Sequence, residues 1–185
     1  MRSAAHIGAL SVITCLVSFP AAAQERSGLM ADLIKDVDQV QKKIVGLANA
    51  MPEPTYGWRP VKEVRSTKEV LMHVAADNYF MPAVVGANVP ADTGINAKSY
   101  ETAVAFEKRA LPRDQVIAQV EKSFALLKTT MTGFPDAKLE MPVEVFGEKT
   151  TNRELWISTV THLHEHLGQL IAYARSNSIT PPWSK

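Results

Sequence analysis

Five histidines occur in this chain of 185 residues, and three of them fall within Thr161-His162-Leu163-His164-Glu165-His166-Leu167-Gly168-Gln169-Leu170. A fourth, His73, lies far upstream, and the fifth, His6, is close to the N-terminus. Imidazole serves as a metal ligand or as an acid–base group near neutral pH, so the spacing of these residues decides what chemistry is open to them. On an α-helix, residues four apart differ by roughly 40° about the axis, with Cβ atoms about 5–6 Å apart. His162 and His166 therefore point the same way, while His164 points nearly opposite and reads as structural or solvent-facing. Two ligands make an incomplete site. A third from another helix would close three corners of a tetrahedron and leave one open, the arrangement of a catalytic rather than a structural zinc site. His73 is the candidate for that third position. A lone histidine at a helix margin is more often a satisfied core residue, and from spacing alone the two readings stand level.

Two zinc-peptidase patterns are excluded. His162-x-x-Glu165-His166 matches H-x-x-E-H, but such enzymes take a further glutamate far downstream, and no acidic residue follows Glu165. The pattern H-E-x-x-H fails because Gly168 stands where its second histidine belongs. Glu165 lies roughly 60–100° from the two ligand directions, which suits a solvated side chain better than a general base. Asp77, one turn after His73, reads equally as a base, an extra ligand, a partner to a histidine N–H, or an ordinary surface carboxylate. Gln169, one turn past His166, either orients a ligand or reflects close helix packing. No catalytic residue is assigned.

These side chains need helices to hold them, and the apolar periodicity supplies four. Leu29, Leu33, Val37, Val40, Ile44 and Leu47 form one face of a helix over about 29–48, stopped by Asn49 and Pro52. Residues 51–65 read as an ordered loop pinned by Tyr56 and Trp58. Ser66-Thr67-Lys68-Glu69 is a capping box opening a helix to about Met81, with His73 at the edge of its apolar face. Residues 82–99 are loop-like, and Tyr100 to Arg109 form a short helix. Pro112 begins a third long helix, with Val116, Ile117, Val120, Phe124, Leu127 and Met131 as its stripe and Gly133 as its stop. Leu139 to Phe146 alternates, but Pro142 limits it to an edge strand or extended loop. A second capping box, Thr151-Asn152-Arg153-Glu154, opens the last helix, to about Ser176. The fold class expected is an all-α four-helix bundle with ordered loops and a short extended segment near 139–146.

Residues 1–23 read as a secretory signal peptide. Arg2 supplies the positive start, Ile7 to Phe19 the apolar run, and Ala21-Ala22-Ala23 the cleavage site. Residues 24–185 then form a single domain, periplasmic or secreted, with no membrane span after the leader is removed. Cys15, the lone cysteine, lies in the leader, so the remainder offers neither a disulfide nor a thiol nucleophile. Lys and Arg number 20 against 19 Asp and Glu, and no basic run is interleaved with aromatics. Nucleic acid is therefore excluded as an expected partner. The expected partner is a small-molecule substrate of unassigned class, with oligomeric state, a homodimer included, left open.

Met51-Pro52-Glu53 through Trp58-Arg59-Pro60, then Leu71-Met72-His73-Val74, then His162-x-x-x-His166-x-Gly168-Gln169 resemble the DinB-like (DinB/YfiT) family of metal-dependent four-helix bundles. The resemblance runs from about Leu29 to Trp183. It implies an up-down-down-up topology and a divalent metal held by three histidines, here His73, His162 and His166. The metal's identity stays open among zinc, nickel and other transition metals. Many members carry arginine after the last ligand, where this chain has Leu167, so no role of that arginine carries over. The family includes metal-dependent thiol transferases, a thiol-using maleylpyruvate isomerase and presumed hydrolases. It therefore implies either an enzyme that activates water or a thiol, or a metal-binding module of the cell envelope without catalysis.

Overall fold

The heptad-like spacing of Val37, Val40, Ile44 and Leu47 becomes packing in α1 (Leu29–Ala50), where all four side chains are buried. The computed structural model describes residues 28–184. The expected signal peptide, with His6 and Cys15, lies outside the described residues. After α1, a single 3₁₀ turn (Glu53–Gly57) carries Tyr56, whose hydroxyl donates to the Ala48 carbonyl at 2.7 Å. Trp58 meets Tyr173 edge-on, with ring centroids 5.1 Å apart. Both aromatics thus pin the loop as expected.

The helix α2 (Thr67–Val84) opens on the capping box read from the sequence. Ser66 Oγ accepts the Glu69 N–H at 3.3 Å, and Glu69 Oε2 accepts the Ser66 N–H at 2.7 Å. α2 runs three residues beyond its expected end because Pro82 sits in the last turn, where its missing N–H costs one bond without ending the helix. A short α3 (Glu101–Glu107) packs against α2, and α4 (Arg113–Gly133) follows. Pro112 is the residue before α4 rather than its first turn, with ψ at 159° and its carbonyl accepting the Val116 N–H.

A two-stranded antiparallel hairpin comes next, β1 (Pro142–Val145) and β2 (Glu148–Thr151). The extended segment expected near 139–146 is therefore paired, and its partner β2 was not legible. Glu148-Lys149-Thr150-Thr151 has no apolar alternation, and the turn between the strands is Phe146-Gly147. Both turn residues have positive φ, 54° and 81°, the geometry that usually selects Asn-Gly or Asp-Gly. The last helix, α5 (Asn152–Ser176), starts on half a capping box. Thr151 Oγ1 accepts the Glu154 N–H at 3.2 Å, but the Glu154 carboxylate is taken by the Thr150 hydroxyl instead of reaching back.

Contacts at the helix ends fix the topology. Arg113, opening α4, donates to carbonyls of Ala48, Asn49 and Met51 at the end of α1, so these helices are antiparallel. The Tyr173 hydroxyl near the end of α5 donates to the Arg65 carbonyl just before α2, and the Thr67 N–H at the start of α2 bonds Trp58 just after α1. Pro182, just past α5, packs on Gly46 near the end of α1. The order is up-down-down-up. α1 contacts α4 and α5, and α2 contacts the same pair, around a core that includes Phe124, Leu127, Trp156 and Leu170. The protein is a four-helix bundle with a small hairpin. Among the described residues, no helix is long and apolar enough to cross a membrane.

Candidate metal centre

The antiparallel pairing of α2 with α5 brings His73 from the second turn of α2 against the middle of α5. There it meets His162 and His166, and one nitrogen from each of the three imidazoles lies within 4.8 Å of the other two. His162 Nε2 is 3.2 Å from His73 Nε2 and 2.9 Å from His166 Nε2. His73 is buried, while His162 and His166 are half-buried. His164 is exposed on the far side, with Nε2 2.9 and 3.0 Å from the Asp36 carboxylate oxygens, and so ties α5 to α1. Glu165 is exposed, as its direction required.

The outward nitrogens determine what the inward ones can do. Tyr173 donates its hydroxyl hydrogen to the Arg65 carbonyl at 2.9 Å, so its oxygen must accept from the Gln169 amide, also at 2.9 Å. The Gln169 carbonyl then faces His166 Nδ1 at 2.9 Å, and that nitrogen must carry the proton. On the other ligand helix, His73 Nδ1 lies 3.1 Å from Glu107 Oε2, a carboxylate that can only accept. Glu107 is itself held by Arg65, at 2.6 and 3.2 Å. With both Nδ1 atoms donating outward, His73 and His166 present Nε2 lone pairs to the centre. Facing lone pairs near 3 Å repel one another unless a proton or a cation stands between them. A cation relieves all three. Nitrogens bound at about 2.0–2.1 Å around a tetrahedral ion stand roughly 3.3 Å apart, close to the two separations seen here. The donor set fits a divalent transition metal, and its outer partners are of the kind that orient metal-bound histidines.

The electrostatics favour neutral imidazoles at His162 and His166. Burial, then the neighbouring His166 and His73, holds His162 down at about 3. Burial also lowers His166, against the hydrogen bond to Gln169. Burial alone would raise Glu107, but hydrogen bonds from His73 and Arg65, with the charge of Arg65, hold it at about 2.

Asp77 is only 6% exposed, so the reading of an ordinary surface carboxylate is corrected. The outward Nδ1–H of His73 goes to Glu107 rather than to Asp77. Its Oδ2 lies on the inward side, 3.4 Å from His73 Nε2 and 3.5 Å from His162 Nε2, and its Oδ1 accepts the Tyr100 hydroxyl at 3.0 Å. Burial raises its pKa, against the opposing influence of His73 and Tyr100.

Three contributors were missed in the sequence: Glu107, Tyr100 and Arg65. Tyr100 and Glu107 are seven residues apart and so share a face of α3 with buried Ala103. A carboxylate on the inward stripe of a short helix was the signal available. Arg65 carried none, since its partner lies 42 positions away.

Comparison with solved structures shows the same fold at low sequence identity. A DinB-like protein of Bacillus subtilis, YjoA, is similar with a TM-score of 0.61 and 17% identity, covering 80% of this chain and 93% of that one. YfiT of Bacillus subtilis, described as a probable metal-dependent hydrolase with an unusual four-helix bundle topology, gives 0.63 and 12%, over 89% and 97% of the two chains. The mycothiol-dependent maleylpyruvate isomerase gives 0.60 and 13%, over 77% of this chain and 60% of that one. No curated protein sequence matches. The family model of the DinB superfamily matches residues 36–170, and the chain belongs to that superfamily.

Proposed function

We propose that the protein is an exported metalloenzyme that binds one divalent metal ion through His73, His162 and His166 and acts as a hydrolase on a small molecule. The observation that carries this reading is the convergence of three imidazole nitrogens within 4.8 Å, with Glu107 and Gln169 holding the outward Nδ1 atoms of His73 and His166. When bound, a divalent ion with neutral ligands supplies Lewis acidity that eases deprotonation of a water or thiol near neutral pH. The chain's own residues supply the rest. Asp77 is placed to accept a proton at Oδ2, while the Tyr100 hydroxyl holds its other oxygen. The His162 side chain keeps 30% of its surface exposed, the side from which a small substrate would approach.

Water is favoured over a thiol as nucleophile because an exported protein meets little low-molecular-weight thiol. Export itself rests on the leader-like pattern of residues 1–23, and places the protein in the periplasm or outside the cell. The likeness to YfiT supports hydrolysis, and the likeness to the maleylpyruvate isomerase keeps thiol transfer as the competing chemistry.

Metal analysis of the purified protein tests the site. About one divalent ion per chain is expected, lost in His73→Ala, His162→Ala and His166→Ala and kept in His164→Ala. Unchanged metal in the three variants overturns the assignment. Profiling the loaded protein against esters, amides and thiol conjugates tests the chemistry. Failure on every class, with metal retained, favours a binding module without catalysis.

A further inference from the structure

Beside the histidine cluster lies a cleft of about 680 Å³, within the range of small-molecule sites. Its wall is shared with the metal centre, because Glu107 and Gln169 line the cleft and also accept the Nδ1 protons of His73 and His166. Five cationic side chains line it against three carboxylates. Two of those carboxylates are already matched, Glu107 by Arg65 and Glu69 by Arg59. That leaves Lys68, Lys108 and Arg109 against Glu63. Among the described residues, Arg109 is held only by neutral partners, the carbonyls of Asp92 and Thr93 at 2.8 and 2.7 Å and the ring of Phe106. Among those residues no carboxylate pairs with it, and its guanidinium is fixed in place. Neither Lys68 nor Lys108 forms an ion pair or side-chain hydrogen bond among the described residues. A recess with excess positive charge and low-dielectric walls concentrates anions.

We propose that this cleft is the anion subsite of the metal centre, taking a carboxylate, sulfonate or phosphate group of the small molecule whose reacting bond lies at the histidines. The assignment deepens the metal-dependent reading above and rests on it. It narrows the substrate class to anionic molecules with the charged group set back from the reacting bond.

The test is an NMR titration of the full chain loaded with zinc, using sodium sulfate as the probe and sodium chloride to hold ionic strength constant. Sulfate binds metals poorly, so it reports on the cleft. The expected result is saturable shifts at the Lys68 and Lys108 amides and at the Gln169 side-chain amide. The double variant Lys68→Gln/Lys108→Gln should bind about tenfold more weakly, with zinc content unchanged. Lys68→Arg/Lys108→Arg should restore binding. Unsaturable shifts, equal affinity in the glutamine variant, or an unmoved Gln169 amide overturns the proposal. Succinate is titrated in the same way. Because a carboxylate also ligates zinc, only the succinate affinity lost in Lys68→Gln/Lys108→Gln is assigned to the cleft; a loss larger than that of sulfate marks carboxylates, a smaller one marks phosphate or sulfonate groups, and no loss overturns the proposal. If the wild-type chain holds no zinc, the metal reading fails by itself, and the same titration of the zinc-free chain decides the cleft by the same criteria.

Discussion

Glu107 and His73, 34 positions apart, are joined at 3.1 Å between a carboxylate oxygen and Nδ1, and this contact decides which nitrogen of His73 faces α5. Replacing Glu107 by alanine frees the ring to take the other tautomer and removes an acceptor that raises its basicity. Metal affinity should fall about 10–100-fold. Asp36→Ala, which strips the partner of His164, should leave it unchanged. Competition with a chromophoric chelator measures both.

Removing the metal should loosen the bundle without unfolding it. The core around Trp156 and Phe124 does not depend on the histidines, and a chain of this size buries enough surface to fold alone. An ion at a hundred times its dissociation constant adds about 2.7 kcal/mol. After chelation, helical circular dichroism should persist while the melting temperature falls. Loss of helix on chelation would contradict this account.

The metal-free protein should lose stability on acidification. The ordinary pKa of histidine is 6.5, and His162 is held at about 3 by burial and its two histidine neighbours. Between those values the unfolded chain binds a proton that the folded chain refuses. The contribution is intact above pH 6.5 and declines as pH falls towards 3. Denaturant titrations on both sides of that window, compared with His162→Asn, check the sign. The variant should show the flatter profile.

Ser66→Ala should cost about 1 kcal/mol by leaving the Glu69 N–H without its acceptor. The same change should weaken metal binding slightly, since the first turn of α2 sets the angle at which His73 leaves the helix. Denaturation and metal titration of one sample measure the two effects together.

The positions of the helices were legible because their apolar residues repeat with one period and their starts carry caps. The directions of His162, His164 and His166 followed from the same period, and the structure places all three accordingly. Asp77 could not be resolved between buried and exposed, because an aspartate at the margin of an apolar stripe reads alike in both cases. Glu107 was missed for another reason. Its stripe position on a short helix was visible, but its role depends on α3 folding back over α2, a tertiary contact that the stripe does not specify. β2 was hidden by composition, since Glu148-Lys149-Thr150-Thr151 is polar throughout and the preceding turn uses phenylalanine at positive φ.

The up-down-down-up order has a kinetic consequence. Its ligand helices are not sequence neighbours, and His73 and His162 are 89 positions apart. Closing so long a loop costs entropy before any contact between the two helices repays it. No hairpin of consecutive helices contains all three imidazoles, so no early folding fragment can capture an ion tightly. On the proposed metal reading, uptake reports the docking of α2 on α5, and the rate of loading should track that docking rather than the formation of either helix.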